Sequence, residues 1–157
     1  MASRRAAAAR IRSVIYERYG FWPNPWTGIT DAELDAAERA LGIVLPAVYR
    51  EFLHWFGSRA VPVSELYGLP RNDMRSDVVM RNFFDVDSVP GMLKIGAGCD
   101  GQSFYLDTAR LDANGDCPVI VRDASGIDAE ATPSFLDFLA RWRRLEVPAA
   151  VQGGARV

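Results

Sequence analysis

The run ITDAELDAAERALGIVLPAVYREFLHWFG, Ile29 to Gly57, decides how the rest of the chain is read. Thr30-Asp31-Ala32-Glu33 is a capping box: the threonine oxygen takes a free backbone N–H, and the glutamate reaches back to the threonine N–H. Leu34, Ala37 and Leu41 then recur on one helical face. Gly42 stands just past the helix end, where a glycine belongs. A second helix opens at Pro46, because the N–H that proline lacks is not needed in a first turn. Val48, Phe52, Leu53 and Phe56 form its buried stripe, and Gly57 closes it.

Upstream, Ile11, Val14, Ile15 and Tyr19 recur at helical spacing, so an amphipathic helix is expected over residues 4–18, stopping at Gly20. Scattered arginines and the lack of a clean apolar core argue against a secretory leader there. The loop FWPNPWTG follows, broken by Pro23 and Pro25. Its Phe21, Trp22 and Trp26 either fold back onto the core or form an exposed contact patch.

Downstream the period changes. Short extended pieces are expected near residues 61–63 and 66–68, and the run NDMRSDVVMRNFFD reads as a fourth helix. MLKIG and SFYLD read as strands joined by the glycine-rich AGCDGQ, and PVIVRD as a further strand reached through DANGD. Asn114-Gly115 is a hairpin signal, because both residues tolerate positive φ. A last helix is expected with Thr132 as cap and Pro133 in its first turn. Phe135, Phe138, Leu139 and Trp142 make its apolar face. Helices, then closely spaced strands, then a helix is an α+β layout, and the short strand connections rule out parallel crossovers.

With 157 residues the chain suits one domain with a real core. No apolar run is long enough to span a membrane. Two cysteines, Cys99 and Cys117, define no disulfide framework, and free thiols in a cytoplasmic setting are expected. Arginine outnumbers lysine, with Lys94 the single lysine, a usage that with the abundant alanine suggests a GC-rich bacterial genome. From Asp85 to Asp137, ten acids face only Lys94, Arg110 and Arg122, a net charge of −7. Nucleic acid is a poor partner for such a segment; a basic protein is a better one, unless these are turn aspartates with no partner.

Candidate chemistry fails on context. Gly96 to Gly101 spells G-x-G-x-x-G after a strand, but SFYLD follows where dinucleotide binding needs a helix to begin, so a hairpin or bulge connection is expected. Asp112 to Asp116 starts like a calcium loop, yet its sixth position is Cys117 and its twelfth is Asp123. His54, the single histidine, lies in a helix with no local partner to make it a base, and Asp85 with Asp87 are an unspecific carboxylate pair. No catalytic residue, metal ligand or cofactor is therefore expected, and the chain is read as a binding protein rather than an enzyme.

Leu34, Glu38, Leu41, Gly42, Ile43, Leu45, Pro46, Tyr49, Phe52, Leu53 and Gly57 form a pattern that resembles the SUKH superfamily, which includes yeast cell-wall synthesis regulators and many bacterial toxin-immunity proteins. MLKIGAGCDGQSFYLD, CPVIVRDASG and ATPSFLDFLARW look like its later strands and final helix, so the resemblance covers about Ile29 to Trp142. The family's glycine-rich stretch after the third helix is here SRAVPVSELYG, a departure. The resemblance implies a mixed or mainly antiparallel sheet flanked by helices, and a protein-binding role. Residues 29–146 are expected as the domain; the helix and aromatic loop of 1–28, outside the resemblance, are expected to pack on it, and 147–157, which has no periodicity, is expected as a flexible tail. The expected function is immunity against a cognate bacterial toxin, such as a nuclease. A regulatory or scaffolding adaptor without a toxin is the alternative. The expected partner-binding residues are Asp100, Asp112, Asp116 and Asp128 in the acidic turns, with Trp22 and Trp26. The expected state is a monomer or weak homodimer.

Overall fold

A computed structural model describes residues 4–19, 28–57, 65–69 and 77–141. Its helices are α1 (Arg4–Tyr19), α2 (Asp31–Leu41), α3 (Ala47–Phe56), α4 (Val78–Phe83) and α5 (residues 135–141). The strands β1 (Glu65–Leu66), β2 (Met92–Ala97), β3 (Ser103–Asp107), β4 (Val119–Arg122) and β5 (Asp128–Thr132) form one sheet in chain order. Every pairing is antiparallel, so the sheet is a meander. The α+β class read from the sequence is the class observed.

The capping box forms as the sequence predicts. Thr30 Oγ1 accepts the Glu33 N–H at 3.2 Å, and Glu33 accepts the Thr30 N–H at 3.3 Å. Gly42, at φ +69°, donates to the Glu38 carbonyl and ends α2. Glu38 then holds the link to α3, because its carboxylate accepts the Leu45 N–H at 3.0 Å. The same carboxylate meets Arg50 at 3.1 Å, and Arg50 also reaches Asp35 at 2.9 Å. One arginine of α3 thus clamps the acidic face of α2.

The inner face of the sheet carries Leu93, Ile95, Phe104, Leu106 and Val119, all buried. Over it lie α3 and α5. Phe135 meets Tyr49 and Phe52 edge-on, with ring centroids 5.2 and 5.3 Å apart, and Phe138 packs on Phe104 at 5.1 Å. Such contacts add to the area these rings bury. Helix α1 joins the same core through the fully buried Ile11.

The edge of β2 is closed by a side chain where the short β1 does not reach. The Asn82 amide donates to the Lys94 carbonyl and accepts the Lys94 N–H, both at 2.8 Å, imitating a neighbouring strand. Farther along, Gly68 lies so close to Gly57 that an added Cβ would collide with the Gly57 carbonyl.

Three local expectations are corrected, and one strand is found that no expectation named. Thr132 does not cap α5; it ends β5, and Ser134 is the cap, its Oγ accepting the Asp137 N–H at 3.1 Å. Strand β5 itself escapes a reading by apolar alternation, since all but its last two residues are exposed. Asn114 does not take positive φ, which Asp100 alone among the described non-glycine residues adopts, so DANGD is not a two-residue hairpin. Asp116 is no exposed turn residue. It is buried, and its carboxylate accepts the N–H groups of Cys117 and Phe135 at 2.8 Å and of Leu136 at 3.2 Å.

Two stability outcomes follow from these contacts. Asp116→Ala orphans buried N–H groups at the start of α5 and is expected to cost about 2–4 kcal/mol, with Asp116→Asn losing less, read as denaturant midpoints at unchanged m. Gly68→Ala should cost about 1–3 kcal/mol by the same assay, because the collision is with backbone that must move.

Candidate protein-binding surface

The expected aspartates divide between opposite ends of the sheet. The β3–β4 connection, residues 108–118, holds Asp112 and Asp116 at one end. Asp112 is exposed, but its carboxylate is turned to its own loop, accepting the N–H groups of Asn114 at 2.8 Å and Asp116 at 3.0 Å. At the other end the β2–β3 turn carries Asp100 and the β4–β5 hairpin carries Asp128. Trp22 and Trp26 lie outside the described residues.

The end with Asp100 and Asp128 is built around Arg122. Strand alternation sends Arg122 and Tyr105 to the outer face, away from the apolar inner one. The guanidinium grips Asp128 with two bonds of 2.6 and 3.1 Å, lies 4.6 Å over the Tyr105 ring and donates to the Asp87 carbonyl at 2.8 Å. Tyr105 in turn donates to Asp85 at 3.1 Å. Arg122 and Tyr105 thereby fasten the loop after α4 to the sheet. Burial, with Asp85 beside it, pushes the Tyr105 hydroxyl up to about 12, so it remains a donor at neutral pH.

Between that loop and the two turns opens a cleft of about 440 Å³, lined by Asp87, Val89, Ser103, Arg122 and Asp123 among others. Its one cation is spent on Asp128. Asp87 and Asp123 in its lining are exposed, as is Asp100, next in chain to the lining residue Gly101. Asp123 folds its turn by accepting from Ser125 and Ile127, and those bonds, the Ser125 hydroxyl first, lower its pKa. The net field is negative, suited to a cationic side chain rather than to phosphate.

Among the described residues, no group of three or more His, Cys, Asp or Glu is arranged to hold a metal ion. Gly96 and Ala97 end β2, and the rest of the G-x-G-x-x-G segment is a 3-10 turn closed by the Gly98 N–H on the Gln102 carbonyl at 3.0 Å, with strand β3 and no α-helix following it. Burial, reinforced by Asp116, pushes the Cys117 thiol up to about 12, the reverse of a nucleophile. His54 Nδ1 is 2.7 Å from the Ile29 carbonyl and fixes the entry to α2. No helix among the described residues is long and apolar enough to cross a membrane. Arg122, Tyr105 and Asp87 were missed as site residues. The period-2 pattern of PVIVR would have placed Arg122 outward, but only the fold brings Asp87 beside it.

The Arg122 contact holds the Asp128 carboxyl below its usual range. A lowered pKa stabilises above the unfolded value and loses that contribution as pH falls through the folded one. In an NMR titration of side-chain carboxyl carbons, Asp128 should titrate below the ordinary aspartate range in the native chain. In Arg122→Gln it should return to that range.

A comparison with curated proteins finds no match. The capped α2–α3 pair, the antiparallel meander and the closing helix all lie within residues 28–141, the stretch that matches the SMI1 / KNR4 family (SUKH-1), and the chain belongs to that family.

Proposed function

We propose that this chain is an immunity protein that binds a cognate bacterial toxin and blocks it, the toxin being a nuclease or another enzyme with a basic active face. The observation that carries the reading is the acidic end of the sheet, where Asp87 and Asp123 stand exposed in the lining of a cleft whose single arginine is already paired, with Asp100 exposed next to its Gly101 wall. Family membership supports a protein-binding role. An enzyme that grips phosphates presents Lys and Arg, and an acidic surface imitates what those groups expect. Long-range attraction then speeds encounter and rejects acidic partners. Asp112, at the far end and turned into its own loop, contributes less to this field.

The test uses the toxin encoded by the adjoining gene. The native chain should neutralise it in co-expression and associate faster at low salt. Asp87→Lys with Asp100→Lys should slow association about tenfold or more and flatten its salt dependence, whereas Asp112→Lys should change it less. A native association rate indifferent to salt sinks the electrostatic part, and failure of the native chain to neutralise favours the adaptor role instead.

A further inference from the structure

An uncovered apolar ridge lies on the other side of the loop that walls the acidic cleft. Helix α4 ends at Phe83, and Phe83 and Val86 are 77% and 94% exposed. The Phe83 and Phe84 rings stand edge to face, 5.0 Å apart. Behind them is a groove of about 320 Å³ between the end of α2, α4 and the start of β2, with Leu41, Ile43, Val79, Val89 and Met92 in its walls. Exposed apolar clusters of this kind mark interaction sites. Val89 lines the groove and the cleft alike. The segment Phe83-Phe84-Asp85-Val86-Asp87 thus carries apolar groups beside acids. Asp85 is engaged by Tyr105, whereas Asp87 is exposed: its backbone carbonyl accepts from Arg122, and its carboxylate lies in the Arg122 field and, behind the Asp128 bonds, helps to raise the Arg122 pKa.

We infer that groove and cleft are one bipartite docking surface for a single segment of a partner protein, which seats a large apolar side chain in the groove and sets a nearby Lys or Arg against Asp87. The inference rests on the protein-binding reading above and adds the partner's local chemistry to it. Charge chooses a partner over a second copy of this chain. In a two-fold contact through the ridge both faces would carry Asp85 and Asp87, and bringing two acidic faces together is costly. A basic segment meets no such opposition. The division of labour is chemical: the acids attract, and the buried apolar anchor slows departure.

The experiment titrates the isotope-labelled full chain with a synthetic peptide bearing an Arg-Gly-Trp core, followed by amide NMR shifts. Expected are shifts at Ile43, Phe83 and Met92 together with Asp87 and Ser125, at millimolar peptide. Replacing the peptide's Trp by Ser, or its Arg by Glu, should each weaken binding about fivefold or more, as should Phe83→Ser or Asp87→Lys in the protein. Both protein variants alter exposed side chains, and their unshifted remaining resonances report an intact fold. Shifts confined to the cleft and indifferent to Trp overturn the apolar anchor while leaving the acidic reading intact. No shift around the groove overturns the docking surface. Concentration-dependent dimerisation abolished by Phe83→Ser assigns the groove to a second copy and overturns it too. Toxin binding unaffected by Phe83→Ser overturns it with the immunity reading still standing.

Discussion

The buried carboxylate of Asp116 is the contact on which the architecture turns. It gathers the N–H groups of Cys117, Phe135 and Leu136, so one side chain satisfies its own strand entry and the start of α5. The adjacent Gly115 carbonyl accepts the Val48 N–H at 3.2 Å in the first turn of α3, where Pro46 offers no side-chain cap. Two helix N-termini are therefore anchored to one loop, and the helices can only then meet through Phe135, Tyr49 and Phe52. Burial raises the Asp116 pKa while the N–H donors and the positive helix end pull the other way. A carboxylate out of water is tolerable there because nearly every lone pair has a donor.

That anchoring makes the two ends of the meander different in kind. The end with residues 108–118 is committed to holding helices, and Gly115 is packed so closely on Ala47 that an added Cβ would crowd it at 2.6 Å. The other end carries only tight turns. The segment's excess of acid is thus uneven in space: Asp116 is internal, Asp107 and Glu130 share Arg110, and apart from Asp112 most of the exposed surplus falls near the cleft. Counting charges along the chain finds the surplus but not its location.

The legible parts of the sequence were those whose signals are local. Thr30, Glu33 and Gly42 state where α2 begins and ends because capping chemistry is settled within a turn. Strands β2, β3 and β4 show because their inner residues are apolar. Strand β5 does not, since an exposed edge strand has little apolar face to alternate. Asp112 and Asp116 look alike in sequence, both turn aspartates near glycine. Only the return of the chain at Phe135, nineteen residues beyond Asp116, decides that one is buried and the other is not. The same holds for Arg122, whose meaning depends on Asp87, 35 residues before it.

Arg122 also explains why a loop that carries the exposed groups need not be loose. Its bond to the Asp87 carbonyl and the Tyr105 bond to Asp85 tie both ends of Asp85–Asp87 to β3 and β4. Asp85 further accepts the Asp87 N–H at 3.3 Å. Val86, between them, is left almost fully in water on a tethered backbone. Ordering a loop on binding consumes affinity, and a loop already ordered in the free protein avoids that cost. An aromatic ring beneath a paired arginine is therefore more than a stabilising stack in this chain. It fixes the segment between the acidic cleft and the apolar groove, so that the two keep a constant relation.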